Sequence, residues 1–293
     1  MRGVESIVSE VQMWKDAKSI HFEPLNGGCV NCTYKVRVDG VYYVLRINGD
    51  QNTYLGLKRE GEVEAVHKAS KIGIAPNVFS ESNSEYLITE YVQGGVISKE
   101  EIHNPLLIRR AAETLLKVHG LEGLDRECSP FDLVGKYLEG ARALNVKFPE
   151  GLTEVLRNMD SIENRYSINY KYNKKYCHND YYAFNIINNK IDLFVIDWEL
   201  SGYGDAFFDM ASLSFSNSFS EAEDEILLKG YFGNVEDEYK LILYDMKYMN
   251  MLREISWALL HSGLDVKKVN HDVNYYNSAV WFFDRLRNGY VSV

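Results

Sequence analysis

Apolar and polar positions follow two different periods along this chain. Between residues 20 and 91 they alternate as in half-buried strands, with runs at 21–25, 33–38, 41–47, 77–80 and 86–91. Asp39-Gly40 between two of these runs predicts a tight hairpin turn. One helical stretch interrupts the alternation. Over 57–72 the apolar residues Val63, Val66, Ala69 and Ile72 recur at helical spacing, and Gly73 with Pro76 ends the run.

Beyond residue 96 the helical period takes over, predicting helices at 106–119, 131–144, 152–166, 206–219, 221–232, 236–262 and 265–287. The first of these shows the pattern plainly, with Leu107, Ile108, Ala111, Ala112, Leu115 and Val118 on one face and Gly120 as a stop. A short strand, an Asn-rich turn and a second strand occupy 186–196. The pattern predicts an α+β, bilobal fold. A strand-rich lobe spans 1–91, Val92-Gln93-Gly94-Gly95 is a hinge, and a helical lobe spans 96–293, with no internal repeat or low-complexity tract.

Composition narrows the partners more than the fold. The 293 residues are 46% hydrophobic and 25% charged, as in ordinary globular proteins. A net charge of −10 argues against nucleic acid or an anionic membrane as partner and suits a small cationic substrate. The first twenty residues contain no uninterrupted apolar run, and no later segment reaches the ~20 apolar residues that span a bilayer, which predicts a cytoplasmic protein without membrane insertion. Cys29 and Cys32 form a C-x-x-C, but no second pair follows at zinc spacing, so neither a metal nor a redox role is assigned to them.

The chemistry concentrates in 176–213, where His178, Asp180, Asn185 and Asp197 have the spacing of a phosphoryl-transfer loop followed by a strand-end carboxylate. A carboxylate two residues after the His can accept the proton of an attacking substrate hydroxyl, which makes Asp180 the candidate base. The transferred phosphoryl carries its charge on oxygen and calls for hard Mg²⁺ held by oxygen ligands, here Asn185 and Asp197. His178 is read as a structural residue bracing the loop, and His119 as structural at its helix end.

The strand-rich part offers complementary groups. The turn Asn26-Gly27-Gly28-Cys29-Val30-Asn31 can bring backbone N–H groups to phosphates. Arg46 on the following hairpin strand supplies the cation that a kinase needs for the α and β phosphates of ATP. Its acidic partner is taken as Glu62, with Glu60 and Glu64 as competitors on the same helix. Backbone groups of Glu90 and Val92 would meet the adenine edge.

Together these segments resemble the choline/ethanolamine kinases, particularly the bacterial LicA-like branch, within the wider group that includes aminoglycoside phosphotransferases. The resemblance covers roughly residues 20–287. It rests on the glycine turn ending in Asn31, on Tyr43-Val44-Leu45-Arg46-Ile47, and on Arg59-x-x-Glu62. It also rests on His178-Asn179-Asp180 with Asn185, and on Ile196-Asp197-Trp198-Glu199 followed by Gly202-Tyr203-Gly204-Asp205 and Phe208-Asp209. It implies a protein-kinase-like fold, ATP and Mg²⁺ as cofactors, and phosphoryl transfer to an amino alcohol, choline first and ethanolamine second. Aminoglycoside phosphotransferase is the alternative within the class, and an inactive ATP-binding scaffold the alternative outside it.

The resemblance also implies a pocket for the substrate's ammonium. Trp198-Glu199 is the choline-kinase form of that stretch and suggests Glu199 for ammonium recognition, while Trp257 matches a family pocket Trp. Quaternary ammonium has no N–H and is held by aromatic faces. Where the family often has a second Trp one turn before Trp257, this chain has Arg253 and Glu254. The family's last-helix Tyr aligns near Ser278, so Tyr275, Tyr276 and Trp281 are the candidate substitutes.

Overall fold

The protein is described here by a computed structural model covering residues 2–25, 31–49, 59–80, 82–169, 174–264 and 273–289. The elements run α1 (Val4–Glu10), β1 (Ile20–Leu25), β2 (Cys32–Val38), β3 (Val41–Ile47), α2 (Arg59–Lys71), β4 (Tyr86–Glu90) and β5 (Gly95–Val96). They continue with α3 (Pro105–His119), α4 (Pro130–Ala143), α5 (Leu152–Asn169), β6 (Lys175–Cys177), β7 (Ile186–Asn188), β8 (Leu193–Val195) and β9 (Gly202–Gly204). The last helices are α6 (Ala206–Ser216), α7 (Glu221–Phe232), α8 (Asp237–Gly263) and α9 (Tyr275–Arg287). The chain divides into two compact units, Met1–Gly95 with Ile187–Glu199, and Val96–Ile186 with Leu200–Val293.

The first unit is built on an antiparallel sheet of order β1-β2-β3-β4. Asp39 and Gly40 both have positive φ, 47° and 92°, the geometry of a two-residue hairpin turn, and they set the register Val38 opposite Val41. One face of the sheet buries Val36, Leu45 and Ile88 against α1 and the turn after it, which contribute Ile7, Val8, Val11 and Trp14. The sequence reading drew no element from this N-terminal segment, because α1 is only seven residues long and shows too few turns for a period. The stretch 77–80 is not a strand; Val78 makes a single bridge to Thr89. On α2, Ala65, Val66 and Ala69 are buried, whereas Ile72 lies past the helix end and is exposed.

The second unit is mainly helical. Its longest helix, α8, packs against α4, α6 and α9 and buries residues all around, from Ile242 to His261. The helix starts have local causes. Asn104 caps α3 with Pro105 at its first position, Asp205 caps α6, and Ser220 with Glu223 forms a capping box on α7. Residues 273–274 are not helical, so the predicted last helix begins at Tyr275; 265–272 lie outside the described residues.

Candidate active-site residues

In the first unit, Arg46 on β3 is buried and its guanidinium engages three groups. Nη2 donates to Glu62 Oε2 at 2.6 Å, Nη1 to Asp197 Oδ1 at 2.9 Å and Nε to Asn48 Oδ1 at 3.2 Å. Of the three acids considered on α2, it is Glu62 that pairs with Arg46. Burial lowers the guanidinium's proton affinity, but the carboxylates of Glu62 and Asp197 outweigh it and hold its pKa above the usual value. Asp197 itself has φ +64°, a left-handed conformation costly for a residue with a Cβ. The cost is met where β8 ends, and it aims the carboxylate at Arg46.

Asn31 lies just before β2. Its Nδ2 donates to Glu199 Oε2 at 2.8 Å, and its Oδ1 accepts from the Gly49 amide at 3.2 Å. Glu199, assigned from sequence to the substrate, is thus engaged by Asn31 within this unit. The Glu90 amide is taken up by the Asn77 carbonyl, and Val92 follows just past the end of β4. Gly27 and Gly28 lie outside the described residues.

In the second unit, β6 delivers the loop 178–180 onto Asp209 of α6. The two carboxylate oxygens of Asp209 accept the backbone amides of His178 at 2.7 Å and Asn179 at 2.6 Å. Asp209 Oδ2 also lies 3.0 Å from His119 Nε2, whose ring bonds the Tyr231 hydroxyl through Nδ1. All of this is buried. Asn179 has φ +61° and turns the chain so that Asp180 leaves the core with its side chain 21% exposed. Close backbone contact continues on β9, where a Cβ on Gly204 would sit 2.6 Å from the Cys128 carbonyl oxygen.

Both oxygens of Asp180 have fixed partners. Asn185 Nδ2 donates to Oδ2 at 2.8 Å and to the Asp180 carbonyl at 3.0 Å, while Arg253 Nη1 donates to Oδ1 at 2.9 Å. Arg253 is buried, stacks over Tyr182 at 4.9 Å, and also donates to the Asn179 carbonyl at 3.0 Å and to Glu254 Oε1 at 2.6 Å. Tyr182 completes the cluster by donating its hydroxyl to the same Glu254 oxygen at 2.8 Å. Burial and the nearby Asp180 raise the pKa of Glu254, against the opposing pull of Arg253.

The donor chemistry suits Mg²⁺. Asn185 directs its amide nitrogen to Asp180, which leaves its carbonyl oxygen as an acceptor, and the Asp197 carboxylate is 35% exposed. Each therefore presents a hard oxygen ligand.

Among the aromatic candidates, Trp257 stacks on His261 with centroids 3.9 Å apart and meets Tyr275 edge-on at 5.5 Å. Tyr276 is partly buried, and Trp281 is an exposed residue covered by Arg285. The structure brings Tyr275 to Trp257 and leaves Trp281 with Phe282 instead. The roles of Arg253, Tyr182 and His261 were not foreseen from sequence. For Arg253 a signal existed: it is a cation within a stretch of α8 in which Met251, Leu252, Ile255 and Ala258 are apolar and buried.

Residues 21–242 match the model of the phosphotransferase enzyme family, APH. Protein LicA of Haemophilus influenzae is 24% identical over 253 residues, covering 82% of this chain and 72% of the relative. Among solved structures, a choline/ethanolamine kinase family protein from Mesorhizobium loti superposes with a TM-score of 0.80 at 24% identity, covering 97% of this chain and 92% of that one. The ADP-bound aminoglycoside phosphotransferase APH(2'')-Ib superposes with a TM-score of 0.61 at 17% identity, covering 95% of each chain. These likenesses show the kinase-like α+β fold expected from the sequence.

Proposed function

We propose that this chain, which belongs to the phosphotransferase enzyme family, transfers the γ-phosphoryl group of ATP to the hydroxyl of a small amino alcohol of the choline and ethanolamine type. The observation that carries the reading is the Asp180 carboxylate, partly exposed and fixed by Asn185 on one oxygen and Arg253 on the other.

Asp180 accepts a hydrogen bond from the substrate hydroxyl, orients it for in-line attack and takes its proton as the phosphoryl departs. A carboxylate has about four lone-pair sites, so two structural hydrogen bonds leave room for the hydroxyl. Asn185 and Asp197 are the residues assigned to hold Mg²⁺, which when bound neutralises charge on the phosphate oxygens. Arg46, positioned by Glu62, is assigned to the α and β phosphates; Gly27 and Gly28, assigned to the same phosphates from sequence, lie outside the described residues. Glu90 and Val92 are assigned to the adenine edge. Asn31 holds Glu199 within the first unit, and Trp257 with Tyr275, in ring contact with each other, are assigned to the acceptor.

A coupled ADP-release assay across choline, ethanolamine and kanamycin tests this. Turnover is expected with an amino alcohol and not with kanamycin, and Asp197→Ala is expected to abolish it while the folded circular-dichroism spectrum persists. Near-normal ADP production by the Asp197→Ala protein would sink the assignment.

A further inference from the structure

Resting on that reading, we infer that Glu254 binds the substrate's ammonium through an N–H···O hydrogen bond, so that this enzyme prefers an N–H-bearing amino alcohol over a quaternary one. Four observations carry the inference. Glu254 Oε1 is held by Tyr182 and Arg253, whereas among the described residues Oε2 takes no hydrogen bond. The side chain is 22% exposed, so the carboxylate is not sealed from solvent.

The second observation is position. One planar guanidinium, that of Arg253, holds both Asp180 and Glu254. The carboxylate assigned to the hydroxyl and the one left for the ammonium therefore stand side by side on one guanidinium. Charge is the third. Two carboxylates face one buried guanidinium, and burial is the main influence on Glu254. Burial disfavours the ionised form of Glu254, and a single substrate cation beside it would favour the carboxylate.

The fourth concerns the aromatics. A trimethylammonium group is held by open ring faces, but His261 already covers a face of Trp257, and Tyr275 approaches it edge-on. A carboxylate lone pair directed at an N–H gains a charge-assisted hydrogen bond that choline cannot form. The inference ranks ethanolamine-type acceptors above choline, reversing the order implied by the family resemblance.

The test is kcat/KM of the full-length wild-type protein for ethanolamine, its N-methyl and N,N-dimethyl derivatives, and choline. A drop of about tenfold or more is expected at the last methylation, where the final N–H is lost, carried mainly by KM. In Glu254→Gln that step should shrink to about threefold or less, because the charged acceptor is gone. Choline used as well as or better than the dimethyl compound by the wild type would overturn the inference while leaving the proposed reaction standing. A step that persists undiminished in Glu254→Gln would also overturn it. Failure of every amino alcohol would overturn both. The methylation series needs no variant, so it decides the matter even if Glu254→Gln does not fold.

Discussion

His119 and Asp209 meet through a hydrogen bond of 3.0 Å buried between α3 and α6, and the same Asp209 carboxylate carries the backbone of the candidate catalytic loop at His178 and Asn179. The loop's left-handed Asn179 is thereby anchored by a helix as well as by its own side chain, whose Nδ2 donates to the Leu200 carbonyl at 3.0 Å. Asp209→Ala leaves two buried amides without acceptors, which costs about 2–5 kcal/mol. Urea unfolding is expected to show that loss. Turnover should fall as well, because Asp180 loses its orientation.

Arg46 serves Glu62 and Asp197 with separate arms of one guanidinium, a geometry that lysine's single ammonium does not reproduce. Arg46→Lys is expected to raise KM for ATP by about tenfold or more, with the protein still folded. Arg46→Ala strands Glu62, which is buried, and is expected to cost about 3–5 kcal/mol by chemical denaturation.

His261 gives the molecule a pH signature. Burial pushes its pKa from 6.5 down to about 4, partly opposed by the Nδ1–H bond to the Trp257 carbonyl. The unfolded chain therefore binds more protons than the folded one between these values. Stability is full above pH 6.5 and falls as pH drops toward 4, by about 3 kcal/mol in all. Denaturation midpoints of the wild type and His261→Phe across that range should diverge, the variant losing less stability at the acid end.

Gly94 tests the local geometry after β4. Its φ is +150°, and a Cβ there would stand 2.6 Å from the Asn188 carbonyl oxygen of β7. Gly94→Ala is expected to lose about 2 kcal/mol or more of stability, since backbone must move to admit the methyl group. A thermal melt indistinguishable from wild type would contradict the close approach.

Much of the fold was legible because its signals are local. The Asp39-Gly40 turn, the Gly120 stop and the apolar period of α3 lie within a few residues of the structure they specify. The candidate catalytic residues were legible for a related reason: phosphoryl transfer needs a carboxylate, an amide and a second carboxylate on one loop and hairpin, so their chain spacing is constrained. α1 escaped because two turns carry no period, and its place in the core depends on contacts with β2, β3 and β4.

What the sequence alone determined is the α+β class and the two-period organisation, and by spacing it nominated Asp180, Asn185 and Asp197 as candidates. Only the tertiary structure decided which partners those groups have. Glu62 closes on Arg46, Asp209 holds the loop from 30 residues away, and Arg253 of α8 comes in beside Asp180 across 73 residues. The reason is physical: a charged side chain on a helix looks the same in sequence whether it faces water or a buried carboxylate, and only packing against the other elements selects between them.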